Sequence, residues 1–400
     1  MITPDTTALR QLLDELLAEG RSQTVARVEG EYSRRAAPFE NRMVIFGCGQ
    51  LGRFVLPAVV RSGIEPVAFC DNNQRLWGTE ISGVPVLSPA EAIARYGESS
   101  CFLTALYNPS AIRRQLTDLG CTHIVPYPVF FWKYSHNLLA EERIDLPHRI
   151  LDQACDIPSA YELLADHRSR EEFLTQLRWR CLLDYGCLPE GGAPQEMYYA
   201  PDIVALTPEE VLVDCGAFDG DSMQSFLQKT DFRFRQIYLF EPDPANQAAL
   251  SVRIAAYPPD VAARITTLPY ALGRENGVVR FSADGDVGSK VVADGGTVEL
   301  QCRTLDTMLG DAQCPTFIKM DIEGAEVQAI PGGAGVISRC RPIMAVCAYH
   351  RCDHLWIIPK LLKAVLPDFK IFLRRYAEEC WETVYYAVPP ERTINLEDRP

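Results

Sequence analysis

Between positions 211 and 222 the chain reads V-L-V-D-C-G-A-F-D-G-D-S, an apolar run that ends in carboxylates, glycines and a hydroxyl. Val211-Leu212-Val213 is short enough to be a buried parallel strand. Gly216 and Gly220 bracket a tight turn, and the pattern becomes helical after Asp221-Ser222. Strand, glycine turn and helix start together make a nucleotide-type ligand site at the carboxyl end of a parallel strand. A pyrophosphate cradle wants bare backbone N–H groups and positive potential. Asp214, Asp219 and Asp221 suit a cationic ligand better.

S-adenosylmethionine, with its sulfonium and ammonium, meets that demand, and the following segments add chemistry of the same kind. A strand over Ile237-Tyr238-Leu239-Phe240 ends in Glu241-Pro242-Asp243, 27 positions after Asp214. An acid there can accept two hydrogen bonds from a ribose diol, and Asn246 begins the next helix. A strand over 265–268 runs into Tyr270-Ala271-Leu272, so that Ala271 would flank an adenine. Strands over 278–281 and 298–301 flank a loop, 285–290, as a hairpin flap with Gly288-Ser289 near the ligand. A strand over 316–320 leads into Asp321-Ile322-Glu323-Gly324-Ala325-Glu326, and one over 343–348 ends in Tyr349-His350-Arg351. The last two strands, over 369–373 and 383–388, are close enough in sequence to pair antiparallel.

VDCGAFDGDS, FEPDP, IKMDIEGAE and AYHR, in this order and spacing, resemble the FkbM-type family of S-adenosylmethionine-dependent O-methyltransferases over about residues 205–390. The resemblance implies a seven-stranded class I methyltransferase sheet, S-adenosylmethionine as donor, and a hydroxyl acceptor on a sugar or polyketide-type product. By the same resemblance Asp214, Gly216, Phe218, Asp219, Gly220 and Ser222 would line the methionine end. Glu241 would hold the ribose with Asp243 and Asn246 nearby, Asp321 would sit beside the methyl group, and His350 opposite it.

Methyl transfer to oxygen is an in-line displacement, so the acceptor must be aligned and its proton removed. His350, at a strand end, has the intrinsic pKa of a general base; a hydrogen-bonded structural histidine is the competing reading. Asp321 orients that imidazole, holds the acceptor, or is itself the base. Glu326 reads as a favourable acid at a helix N-terminus, and Glu323 stays open. Lys319, alternating with Ile318 and Met320, reads as a salt-bridge partner of a neighbouring acid. Cys347, His350, Cys352 and His354 are dense, but their spacing is wrong for a closed structural zinc site. No metal is expected, although Asp321 with His350 leaves room for a divalent ion.

Other elements precede this region. Leu9, Leu12, Leu13, Leu16 and Leu17 form one stripe of a helix over 6–19, within an N-terminal helical segment, 1–40, read as a packing or dimer helix that leaves a homo-oligomer open. A Rossmann-like domain over 41–134 opens with the strand Met43-Val44-Ile45-Phe46 and a complete GxGxxG at Gly47, Gly49 and Gly52. A helix follows with Pro57 in its first turn, then a strand that ends at Asp71, where an acid would meet a ribose. Trp77-Gly78-Thr79-Glu80 and the residues after it resemble the small Rossmann-like domains attached to sugar-modifying enzymes. Two readings stay open here: a nucleotide-type ligand, as a nucleotide-linked sugar or dinucleotide, or a docking platform. Leu138, Leu139, Leu163, Phe173 and Leu177 recur at helical spacing in a connector over 135–204, followed by the methyltransferase domain over 205–400. Met197-Tyr198-Tyr199 could cover an active site, but simple packing is preferred.

The chain has 400 residues, 47% of them hydrophobic, and a net charge of −14. That supports two α/β domains, each with its own core, and argues against nucleic acid or anionic lipid as partner. The 14 cysteines, without a CxxC pair, read as mostly reduced thiols. With Asp5, Asp14 and Glu15 near the start, no signal peptide or membrane span is expected, which makes the protein cytoplasmic. The functional expectation is O-methylation of a sugar hydroxyl in a glycan or nucleotide-linked precursor. The rivals are a nicotinamide-dependent oxidoreductase working at Gly47–Gly52, and a non-catalytic S-adenosylmethionine-binding module.

Overall fold

The computed structural model of the chain describes residues 6–107, 109–137, 144–184, 188, 191–281, 298–311 and 313–394. Asn108, Leu138, Leu139 and the flap tip with Gly288 and Ser289 lie outside them. The chain divides into two compact units: residues 10–154 with 176–190, and residues up to Leu9 with 155–175 and 191–400. The stretch expected as a connector is thus shared between the two. Two helices, Thr6–Leu17 and Arg21–Ala36, precede the first strand, with Leu9 and Leu13 buried.

The first unit is built on β1 (Arg42–Phe46), β2 (Glu65–Cys70), β3 (Glu80–Ile81), β4 (Val84–Leu87), β5 (Cys101–Thr104) and β6 (Ile124–Pro126). They form one sheet in the order β3-β4-β2-β1-β5-β6, parallel except for the β3–β4 hairpin. The helix after β1 runs Gln50–Arg61, so Pro57 lies in its interior rather than in its first turn. The glycine loop already supplies the N-cap, Gly49, which starts the helix earlier than its apolar stripe suggests. One backbone donor of that helix is therefore missing.

The second unit carries β7 (Val211–Cys215), β8 (Gln236–Phe240), β9 (Ile265–Leu268), β10 (Ala271–Leu272), β11 (Gly277–Phe281), β12 (Val298–Arg303), β13 (Phe317–Met320), β14 (Ile343–Cys347), β15 (Lys370–Arg375) and β16 (Thr383–Val388). Seven of them make the expected sheet, in the order β15-β16-β14-β13-β7-β8-β9. Only β16 runs against its neighbours, β14 and β15. Every residue of β7 is buried, as a central strand covered on both faces requires. The rings of Tyr199, Phe226 and Phe317 pack together in this core. A small sheet, β10-β12-β11, contains the antiparallel β11–β12 pair expected for the flap.

The outer edge of β15 is covered from far back in the chain. Leu164 bridges Ile371, and the Ala165 N–H donates to the Ile371 carbonyl at 2.8 Å. Buried Arg374 reaches Asp166 at 2.6 Å and Asp202 at 2.8 Å, and Ser169 Oγ accepts the Leu373 N–H at 2.8 Å. Covering an edge in this way removes a template for strand addition.

The cysteines depart from expectation at one pair: Cys314 and Cys340 are disulfide-bonded. They lie 26 residues apart in sequence, but the approach to β13 and the end of the helix Ala334–Cys340 bring their Cα atoms to 5.4 Å. The eleven other described cysteines are all buried except Cys155.

Candidate active site

The carboxyl ends of β7, β8, β13 and β14 face one cavity of about 860 Å³, within the range of small-molecule sites. Crowding explains the glycine at 216. Its φ is +86°, and a Cβ there would stand 1.9 Å from the Asp321 carbonyl oxygen. The β7 turn and the β13 end can meet only without a side chain at this point. Gly220, at φ +90°, is the N-cap of the helix Asp221–Lys229.

The acids of this turn are balanced largely from within. Asp214 is fully buried; its carboxylate accepts from Ser222 Oγ at 2.5 Å and pairs with Lys319 Nζ at 2.9 Å. Strand register sets Lys319 directly beside Asp214. Burial opposes the Lys319 charge, but the Asp214 carboxylate outweighs it and holds the ammonium firmly protonated. Lys319 also donates to the Gly216 carbonyl at 2.5 Å. Asp219 pairs with Arg253 at 2.7 Å. Gly216, Phe218, Asp221, Ser222 and Lys319 line the cavity, whereas Asp214, Asp219 and Gly220 are not among its lining residues.

At the end of β8, Glu241 accepts the N–H groups of Phe218 at 2.8 Å and Asp243 at 2.9 Å, and the Asn246 amide at 3.3 Å. Asp243 caps the next helix by accepting from the N–H groups of Ala245 and Asn246. Glu241, Asp243, Asn246 and Ala271 all line the cavity, as a ribose and adenine end would need.

The opposite wall is organised on Asp321. Its carboxylate accepts from Tyr198 Oη at 2.5 Å and Tyr349 Oη at 3.3 Å, and lies 3.1 Å from His350 Nε2. Burial would raise its pKa, but His350, Lys319 and Tyr198 outweigh burial and hold it well below the usual carboxylate range. Burial likewise disfavours charge on His350, yet Glu326 at 2.8 Å from Nδ1 and Asp321 on the other side raise its pKa well above the ordinary value. Charge on the ring is thus favoured between two carboxylates, a position from which it orients and balances Asp321. Glu326 is more than a helix-start acid, because Oε1 accepts the Ile322 N–H and also faces His350. Glu323 lines the cavity, with Oε2 3.7 Å from His350 Nε2.

Tyr198 is the residue that sequence reasoning set aside. It is held at φ +68°, while Phe218 stands at +47° and Glu323 at +54°, all beside the same cavity. Left-handed backbone at such residues costs about 1–3 kcal/mol each and clusters at functional sites. In the sequence only the adjacent tyrosines at 198 and 199 hinted at it. Tyr349 lay in view inside AYHR but was passed over for its neighbour His350.

In the first unit, Gly47, Gly49, Gly52 and Asp71 do come together. A Cβ at Gly52 would stand 1.9 Å from the Gly47 carbonyl oxygen, and Asp71 accepts the N–H groups of Cys48 and Asn73, each at 2.8 Å. One donor a phosphate would use is thus engaged by a carboxylate. Among the described residues no helix is long and apolar enough to cross a membrane.

The second sheet, with its single reversed strand and acids at the ends of β8 and β13, lies in the part of the chain that the comparisons liken to a methyltransferase. Residues 214–364 match the Methyltransferase FkbM domain. A solved structure, methyltransferase FkbM from Methylobacillus flagellatus KT, is similar over 95% of this chain and 98% of its own, with 23% identity and a TM-score of 0.75. Lesser likenesses include a precorrin-6y C5,15-methyltransferase from Geobacter metallireducens GS-15 (12% identity, 46% and 83% covered, TM-score 0.29). Another is a UDP-D-quinovosamine 4-dehydrogenase from Vibrio fischeri (24% identity, 22% and 75% covered, TM-score 0.18). No match was found among curated proteins. The match over residues 214–364 implies use of S-adenosylmethionine by that part of the chain.

Proposed function

We propose that the chain is an O-methyltransferase whose acceptor is a hydroxyl of a sugar, in a glycan or a nucleotide-linked precursor. The observation that carries this reading is one cavity with Glu241 at one end and the Asp321 carboxylate, fixed by two phenols, at the other. The residues present fit S-adenosylmethionine. Gly216 lines the cavity, Glu241 stands where a ribose diol is recognised, and Asp321 offers negative charge to a sulfonium and ammonium. When bound, that cofactor supplies a methyl group already activated for displacement.

The chain's own residues do the rest. Glu241, Asp243 and Asn246 hold the nucleoside end, and the Tyr198 and Tyr349 hydroxyls keep the Asp321 carboxylate from rotating. As the acceptor oxygen gains its new bond to carbon, its O–H becomes strongly acidic. Asp321 is the base that receives that proton, despite its low intrinsic basicity. His350 stays charged and stabilises Asp321 until the proton passes to solvent.

The test is calorimetric titration with S-adenosylhomocysteine, followed by labelled-methyl transfer to a panel of sugars and nucleotide sugars. Binding followed by labelling of an oxygen is expected. Absence of S-adenosylhomocysteine binding refutes the reading. Binding without any transfer leaves a non-catalytic module.

A further inference from the structure

We propose that Glu326 is a positioning residue for methyl transfer: from behind His350 it keeps a proton on both ring nitrogens, and the charged ring then holds the Asp321 carboxylate in one place. The purpose of this arrangement rests on the methyl-transfer reading; its geometry does not. The contacts close a ring around the end of β13. Glu326 Oε1 accepts the Ile322 N–H at 2.9 Å and stands 2.8 Å from His350 Nδ1. On the other side His350 Nε2 stands 3.1 Å from Asp321 Oδ1, and Asp321 is joined to Ile322 through the backbone. The side chains of His350 and Glu326 are 2% and 0% exposed, so bulk water does not screen their charges.

The proton count follows from which atoms face each other. An ionised carboxylate only accepts hydrogen bonds. Glu326 therefore requires a proton on Nδ1, and a neutral ring would then point a bare Nε2 lone pair towards Asp321 and towards Glu323 Oε2, 3.7 Å away. A second proton, on Nε2, turns that repulsion into an ion pair. The neighbouring groups do not replace this charge. Tyr349, its ring centroid 4.3 Å from that of His350, donates to Asp321. Buried His354 faces the other oxygen of Glu326, with Nδ1 3.5 Å from Oε2, and burial lowers its pKa. Lys319 is engaged by Asp214 and the Gly216 carbonyl, and Arg351 by Asp353. Burial disfavours charge on His350, and Glu326 is the strongest influence against it. A histidine is charged below its folded pKa and loses that charge as pH rises through it. Neutralising Glu326 alone thus makes His350 give up its second proton at lower pH.

The test is nitrogen-15 NMR of the histidine rings in the full-length protein. The chain has six histidines, and His350→Gln assigns the signal. Wild type is expected to show both His350 nitrogens protonated at about pH 7.5. Glu326→Gln, which keeps the shape and removes the charge, should move the His350 titration down by at least about one pH unit. The alkaline limb of the single-turnover methyl-transfer rate should move with it, making transfer about 10-fold slower between the two limbs, while the KM for S-adenosylmethionine changes far less. Where Glu326→Gln does not fold, Glu326→Asp, which withdraws the charge by one methylene, should shift the titration in the same direction. A singly protonated wild-type ring overturns the proposal. So does a variant with the wild-type circular dichroism spectrum whose ring titrates as wild type. Calorimetry with S-adenosylhomocysteine on the same samples separates the two claims. Its binding beside a singly protonated wild-type ring sinks the positioning role alone, and a doubly protonated ring without its binding sinks the methyl-transfer reading alone.

Discussion

Asp321 receives two phenolic donors and faces an imidazolium, so its charge and its position are set by different groups. Replacing it with Asn keeps the shape and removes the base. Transfer should fall by about 10²–10⁴, while S-adenosylhomocysteine affinity changes far less; single-turnover rates alongside calorimetry check this. Tyr198→Phe removes one hydrogen bond to a charged group, worth about 1.5–3 kcal/mol. It should slow transfer by about 10- to 100-fold, read in the same assay. Asp321 and His350 were legible because each follows an apolar strand and falls within a short motif. Tyr198 was not: it lies 123 positions before Asp321, outside any periodic element, and only folding joins the two.

At the scale of elements, the pairing of β7 with β13 depends on Lys319 beside Asp214. Lys319→Met would leave a buried carboxylate without its partner and should cost about 3–5 kcal/mol, measured by urea unfolding. The edge lock on β15 makes stability depend on pH. Burial would raise the Asp166 pKa, but the Arg374 guanidinium outweighs it and holds the folded value below the ordinary one. Its contribution is therefore complete above the unfolded value near 3.9 and lost as pH falls through the lower folded value. Wild type should lose stability more steeply than Asp166→Asn as pH is lowered through 4 and below, as thermal melts at stepped pH would report. The sequence showed the apolar strands and their turns through local spacing. It hid this lock, because Asp166 and Arg374 are 208 positions apart and charged residues carry no periodic signature. It also placed Pro57 one turn too early, because the helix begins inside a glycine loop that has no apolar stripe.

At the scale of the molecule, the order of motifs was enough to anticipate the second sheet, since each motif closes one parallel strand. The sharing of 135–204 between two units was hidden, because the helical spacing of its leucines looks the same whichever core receives them. The Cys314–Cys340 bond closes a loop within the second unit. A loop of that length is worth about 3.5 kcal/mol on the chain-entropy account. Reduction should lower the melting temperature by a few degrees, without abolishing S-adenosylhomocysteine binding.

The reversed strand β16 has a further consequence, for synthesis rather than for catalysis. It is the last strand made, yet it lies between β14 and β15, inside the sheet. Translation at about 5–20 residues per second leaves a delay of roughly 10–35 s between the end of β7 and the end of β16. In the last part of that time, once β15 has been made, the nascent sheet has a gap rather than an unfinished margin, with β14 lacking one neighbour and β15 lacking its only partner in the sheet. A chain released before Thr383 would therefore not be a shortened enzyme. It would be an open sheet seeking a strand, a natural client for chaperones and a seed for association with other unfinished chains.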